Sequence, residues 1–161
     1  MVRAVLAKHL PAVDERRSAL LDELAASGAP DLRGLAAALV RPFASKLADP
    51  DGGPEFLQIY AELVSRPAPL IATPEGAGSL DRWREMVEPL LAEDAARLHR
   101  RFTAILHTLL ELARRARSGP HTDERLFTSY LIDVVTAILA APVSDETRRL
   151  AHERDAAVGL P

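Results

Sequence analysis

His107 and Glu111 stand four residues apart in the stretch LHRRFTAILHTLLELARRAR, so a helix drawn through them puts both on one face with Thr103 and Arg114. That spacing suits an acid-paired histidine or two metal ligands. A third ligand is missing, because His99 lies eight residues before His107 and about 80° round the helix. The pair therefore reads as a polar face, or as hydrogen bonds along a seam between chains, and no metal site is expected. The stretch His152-Glu153-Arg154-Asp155 lacks the second histidine of a zinc-protease helix. His9, His121 and His152 lie near termini or turns and read as solvated. Asp49 to Pro54 holds acids and glycines but neither the alternating ligands nor the closing glutamate of a calcium loop, which leaves a turn. The pairs and triplets Arg100-Arg101, Arg114-Arg115-Arg117 and Arg148-Arg149 have acids close by at Glu93, Asp94, Glu111, Asp123, Glu124, Asp145 and Glu146, so an ion-paired surface is expected rather than phosphate contacts. No nucleophile elbow, phosphate loop or dinucleotide fingerprint occurs. The expectation is a protein with no catalytic residues and no cofactor.

The elements that would carry these residues follow from composition. The chain has 161 residues, a formal net charge of −3 and no cysteine, and one domain is the expectation over 1–161. Twenty basic against 23 acidic residues give no electrostatic footprint for nucleic acid. The missing cysteines exclude disulfides, thiolate metal sites and a cysteine nucleophile. No apolar run reaches the roughly 18 residues of a membrane span, and MVRAVLAKHLPAV lacks a secretory h-region, so a soluble cytoplasmic protein without membrane contact is expected. Ala (28) and Leu (25) dominate while Ile is scarce, which favours helix throughout.

Prolines and glycines then serve as punctuation. The pattern predicts a short helix over Arg3 to Leu10 stopped by Pro11, and a second from Pro11 to Ser27. A third, capped by Asp31, carries Leu32, Leu35, Leu39, Phe43 and Leu47 with a kink at Pro42. A fourth holds Phe56, Leu57, Tyr60, Leu63 and Val64. Residues 67–79, with three prolines and two glycines, read as a mobile loop. Ser79 or Asp81 opens a helix with Trp83, Met86, Val87 and Leu90, with Pro89 a kink or a boundary. A helix from about Ala95 to Arg117 follows, then one from Thr122 to Ala140, and Ser144 caps a last short helix to about Asp155. The fold expected is all-α: an orthogonal or antiparallel bundle of about eight helices.

The Ala95 to Arg117 helix shows two apolar rows. One is Leu98, Phe102, Ile105, Leu109, Leu112 and Ala116, and the other is Leu106, Leu110 and Ala113. Between Leu126 and Leu139 the next helix is polar only at Thr128, Ser129, Asp133 and Thr136. So much apolar surface exceeds what one small bundle uses, and the expectation is a homodimer whose hairpins pair as a four-helix bundle. The interface residues expected are Leu109, Leu110, Ala113, Phe127, Tyr130, Leu131, Val134, Val135 and Ile138. Coverage of both faces within one chain is the alternative.

Four segments carry a family resemblance. RAVLAKHLPAVDERRSALLDEL resembles the junction in TetR-type transcriptional regulators between the DNA-binding domain and the regulatory domain. LVRPFASKLADPDGGPEFLQIYAELVSRP is similar to the paired helices that follow in many of them. LHRRFTAILHTLLELARRAR and ERLFTSYLIDVVTAILAAPVSDETRRL resemble their two dimerisation helices. The resemblance implies an effector-sensing, dimerising domain, with residues 1–10 the remnant of a connecting helix. It implies DNA contact only through a helix-turn-helix module that is not in this chain. It also implies a small hydrophobic effector in a helical pocket, for which Phe43, Phe56, Tyr60, Trp83, Met86, Phe102 and Leu106 are the lining expected. A helical interaction module without an effector is the alternative.

Overall fold

The first helix runs unbroken through Pro11. In the computed structural model, which describes residues 1–67 and 78–159, α1 spans Val2–Ala26, where two helices were expected. Leu6, Leu10, Val13, Arg17 and Leu21 form one buried stripe across the proline. The Pro11 ring lies on the opposite, exposed face, and Ala7, whose carbonyl loses its usual partner to the proline, is exposed too. The freed carbonyl thus lies on the solvent side, and the stripe continues.

Beyond α1 the chain gives α2 (Leu32–Ala44), a 3-10 turn (Ser45–Ala48), α3 (Gly53–Val64), α4 (Gly78–Val87), a second 3-10 turn (Glu88–Leu90), α5 (Arg100–Arg117), α6 (Glu124–Ala140) and α7 (Asp145–Ala157). The protein is an all-α bundle of seven helices, with no strand among the described residues. Of the loop expected over 67–79, residues 68–77 lie outside the described residues, and Gly78 and Ser79 already belong to α4.

Local chemistry sets the ends. The Asp31 carboxylate accepts the Gly34 N–H at 2.7 Å and caps α2. Pro42 falls in the last turn of α2, which tightens directly into 3-10 geometry. Between α2 and α3, Gly52 takes a left-handed φ of 85°, and a β-carbon on Gly53 would lie 2.1 Å from the Lys46 carbonyl oxygen. Both glycines are therefore required by the turn. Pro89 ends α4, as its position predicts. Asp123, one residue after the start expected at Thr122, caps α6 by accepting the N–H groups of Arg125 and Leu126, each at 3.2 Å. The Ser144 hydroxyl caps α7 by accepting the Thr147 N–H at 3.2 Å.

The helix expected from Ala95 starts later. His99 has a φ of 59°, a left-handed backbone that breaks the pattern, so α5 begins at Arg100. From there Ala104, Ile105, Thr108, Leu109, Leu112 and Ala113 turn inward.

In the packing, α2 lies at the centre and touches α1, α4, α5 and α6, while α3 lies along α5 and α6 along α2. α5 and α6 run antiparallel, because Arg100 at the start of α5 donates to the carbonyls of Ile138 (2.9 Å) and Ala141 (2.5 Å) at the end of α6. At the other end Arg115 stacks over Phe127 at 4.6 Å. α7 is tied on by charge: Asp155 is buried and paired with Arg97 and Arg154, and Asp94 pairs with Arg148. No single described helix is long and apolar enough to cross a membrane. α6 and α7 together meet that test by length and composition, bent by 60° at the break.

A Pro11→Ala variant should restore the missing helical hydrogen bond without disturbing a buried contact. We expect unfolding in urea to show about 1–3 kcal/mol of added stability. A loss of stability would contradict a continuous α1.

Candidate functional site

The polar groups of greatest interest lie inside the α1 stripe. His9, near the N-terminus and expected to be solvated, is buried. Its ring stacks on Phe56 with centroids 5.0 Å apart, Phe56 stacks on Tyr60 at 5.6 Å, and Tyr60 tilts against Phe43 at 5.7 Å. The Arg17 guanidinium closes the series, 4.8 Å from the centre of the Phe43 ring. One chain of contacts thus runs from His9 to Arg17 through three aromatic rings of α2 and α3.

Arg17 is only 2% exposed, and its Nη1 donates to the buried Ser79 hydroxyl at 3.2 Å. Ser79 in turn donates its backbone N–H to Asp14 Oδ1 at 2.9 Å. Burial lowers the Arg17 pKa to about 10, against smaller raising effects of Tyr60 and Asp14 and a further lowering by Arg84. Burial raises the Tyr60 pKa, and the Arg17 charge partly opposes the shift. At the other end of the series burial is the main cause lowering the pKa of His9, helped by Lys46. Asp49, 3.7 Å away, raises it and does not prevail. Asp49 itself is held below its ordinary value by the Asp51 N–H and by Lys46.

Four of the seven residues expected around a ligand meet in this region. Phe43, Phe56 and Tyr60 interlock as described, and Trp83 is buried beside α2, its indole N–H donating to the Leu35 carbonyl at 2.8 Å. Met86 and Leu106 are half-buried. Phe102, in the first turn of α5, is 45% exposed and stands apart. Four surface clefts formed by described residues, of about 410 to 510 Å³, are lined by other side chains.

The residues expected at a dimer seam divide by burial. Leu109, Ala113, Leu131 and Val135 lie in the core of the chain and have no surface left to offer a second copy. Phe127, Val134 and Ile138 are half-buried, and Leu110 and Tyr130 are exposed. Leu126, absent from the expected set, is 70% exposed one turn before Tyr130 at 64%.

His107 and Glu111 do share a face, but the Glu111 carboxylate is taken by Arg114, with 2.7 Å between Oε2 and Nη2. That hydrogen bond is what lowers the Glu111 pKa. No group of three potential metal ligands occurs among the described residues.

Sequence reasoning read His9 as solvated and passed over Arg17. The signal for Arg17 was present, since Leu10, Val13, Arg17 and Leu21 keep helical spacing and a charge inside such a row is anomalous. Comparison of the chain with protein-family models, with curated proteins and with solved structures returns no match.

Because the folded His9 pKa lies below its ordinary 6.5, the unfolded chain binds the proton more readily. The resulting contribution is complete above pH 6.5 and is lost as pH falls from there through the lowered value. Thermal midpoints measured from pH 8 to pH 5 should therefore fall on acidification. His9→Phe, which keeps a ring against Phe56, should flatten that fall, and an unchanged slope in the variant would contradict this origin.

Proposed function

We propose that this chain is the dimerising, effector-sensing part of a regulator built like the TetR-type proteins that its sequence resembles. The observation that carries the reading is the outer face of α6. Leu126, Tyr130 and Val134 follow one another at four-residue spacing, the first two largely exposed and the third half-buried, on a helix paired antiparallel with α5. A second copy of the same hairpin, laid against this face about a two-fold axis, would bury the row and complete a four-helix bundle. The contacts that α5 and α6 make inside the chain, through Leu109, Leu112, Leu131 and Val135, would hold the hairpin rigid for that pairing.

Sensing is assigned to the cluster where α1, α2, α3 and α4 meet. An effector that favours one placement of α4 against α1 would shift α1, and with it any DNA-reading module joined to that helix. Such coupling requires different affinities for the two placements. DNA would be met only through a helix-turn-helix module outside this chain, and the setting would be cytoplasmic.

A second reading, a helical interaction module that pairs with other chains and takes no effector, is favoured by the close stacking of Phe43, Phe56 and Tyr60. Thermal-shift screening with lipophilic compounds separates the two, since a binder of the folded state raises the midpoint.

Sedimentation at micromolar concentration should give a dimer. The double variant Leu126→Glu/Tyr130→Glu should sediment as a monomer with little change in secondary structure, because both side chains are exposed in the single chain. A monomeric parent protein would overturn the dimer.

A further inference from the structure

Arg17 is a buried cation with two of its three guanidinium nitrogens idle. Among the described residues no carboxylate lies within ion-pair distance of it, and its buried Nε and Nη2 find no hydrogen-bond partner there. A guanidinium out of water normally finds an acid, because an unpaired buried charge is among the most destabilising features a fold can hold. The nearest acid on its own helix, Asp14, is occupied by the Ser79 N–H at the start of α4. Arg84 adds a second positive charge to the neighbourhood and pairs with Asp81 at 2.7 Å.

The two idle atoms are not scattered. Nε–H and the neighbouring Nη2–H project from the same edge of the planar group, and that edge offers two parallel donors to the two oxygens of one carboxylate. Nη1, on the other side, is already fixed by Ser79, and the face of the group rests on Phe43. The guanidinium is therefore oriented before anything binds. Its surroundings are aromatic and aliphatic, with Tyr60 packed against Phe43 and Trp83 on the helix that Ser79 belongs to. A carboxylate arriving there would need an apolar body.

We propose that the Nε/Nη2 edge of Arg17 is the receptor for the carboxylate of a small amphipathic acid, with the apolar part lying among the side chains of α2, α3 and α4. This rests on the effector-sensing reading and deepens it by naming the chemical class of the effector. It also supplies the coupling. Arg17 belongs to α1 and Ser79 to α4, so an anion drawing on the guanidinium acts on the hydrogen bond that joins those two helices.

The test compares decanoate with decanol, which share a chain and differ in charge, by thermal shift and calorimetry at pH 7 below the micelle concentration. Decanoate should raise the midpoint and decanol should not. Arg17→Met, which keeps an unbranched apolar side chain on Phe43, should bind decanoate at least about tenfold more weakly, as expected for loss of charged hydrogen bonds. Arg17→Lys, which keeps the charge but loses the paired donors, should bind with intermediate affinity. Equal shifts with decanoate and decanol would overturn the carboxylate site and leave the effector reading standing, and this comparison needs no variant to fold. Unchanged decanoate affinity in Arg17→Met would also overturn it.

Discussion

The guanidinium of Arg17 lies where four helices meet. It leaves α1, rests on Phe43 of α2, lies close enough to Tyr60 of α3 to oppose the rise that burial gives that hydroxyl's pKa, and donates to Ser79 of α4. One of these contacts is with an aromatic face, which holds a cation without neutralising it. The region is thereby assembled around a charge that the protein leaves only partly satisfied. Trp83 adds an apolar anchor for α4 against α2, but the join between α4 and α1 is polar: Ser79 with Arg17 and Asp14, and Arg82 with Asp22 at 2.6 Å. Apolar packing tolerates small slides. A directed hydrogen bond holds or breaks, so α4 has the character of a part with discrete positions.

The opposite side of the bundle is organised differently. α5 and α6 are joined at both ends by arginines of α5: Arg100 meets the carbonyls that end α6, where a cation also complements the helix dipole, and Arg115 meets Phe127 and Glu124 near its beginning. Between these clamps the contact is leucine, isoleucine and valine with few polar atoms. Asp133 reaches Arg33 of α2 from the outer half of α6. The hairpin is thus fixed in register by its ends and filled by its middle, which leaves Leu126 and Tyr130 outside without weakening the core.

Much of this was legible from residue types. The caps at Asp31 and Ser144, the boundary at Pro89 and the end of α5 before Gly119-Pro120 are each written by one or two residues whose backbone preferences act locally. Pro11 misled because a proline's effect depends on which side of the helix faces water, and that is set by packing partners far along the chain. Phe102 misled for a related reason: it keeps the spacing of the buried row but lies in the first turn of α5, 45% exposed, and spacing does not mark where along a helix its covering neighbours end. Arg17 lay within a readable row, but its meaning came only from the aromatic rings brought against it by α2 and α3. Spacing gives the apolar rows of α5 and α6 but not which row the same chain covers.

The unbroken course of α1 also makes it a lever. From Arg17 to the start of the helix is some fifteen residues, about 22 Å at 1.5 Å per residue, so a tilt of about 5° at Arg17 carries the far end through about 2 Å. Two separate helices hinged at Pro11 would absorb such a tilt at the joint, whereas a continuous rod delivers it. The buried stripe from Leu6 to Leu21 is what keeps the rod stiff across its missing hydrogen bond. A displacement too small to reorganise the core is thereby enlarged into one that a neighbouring body can feel.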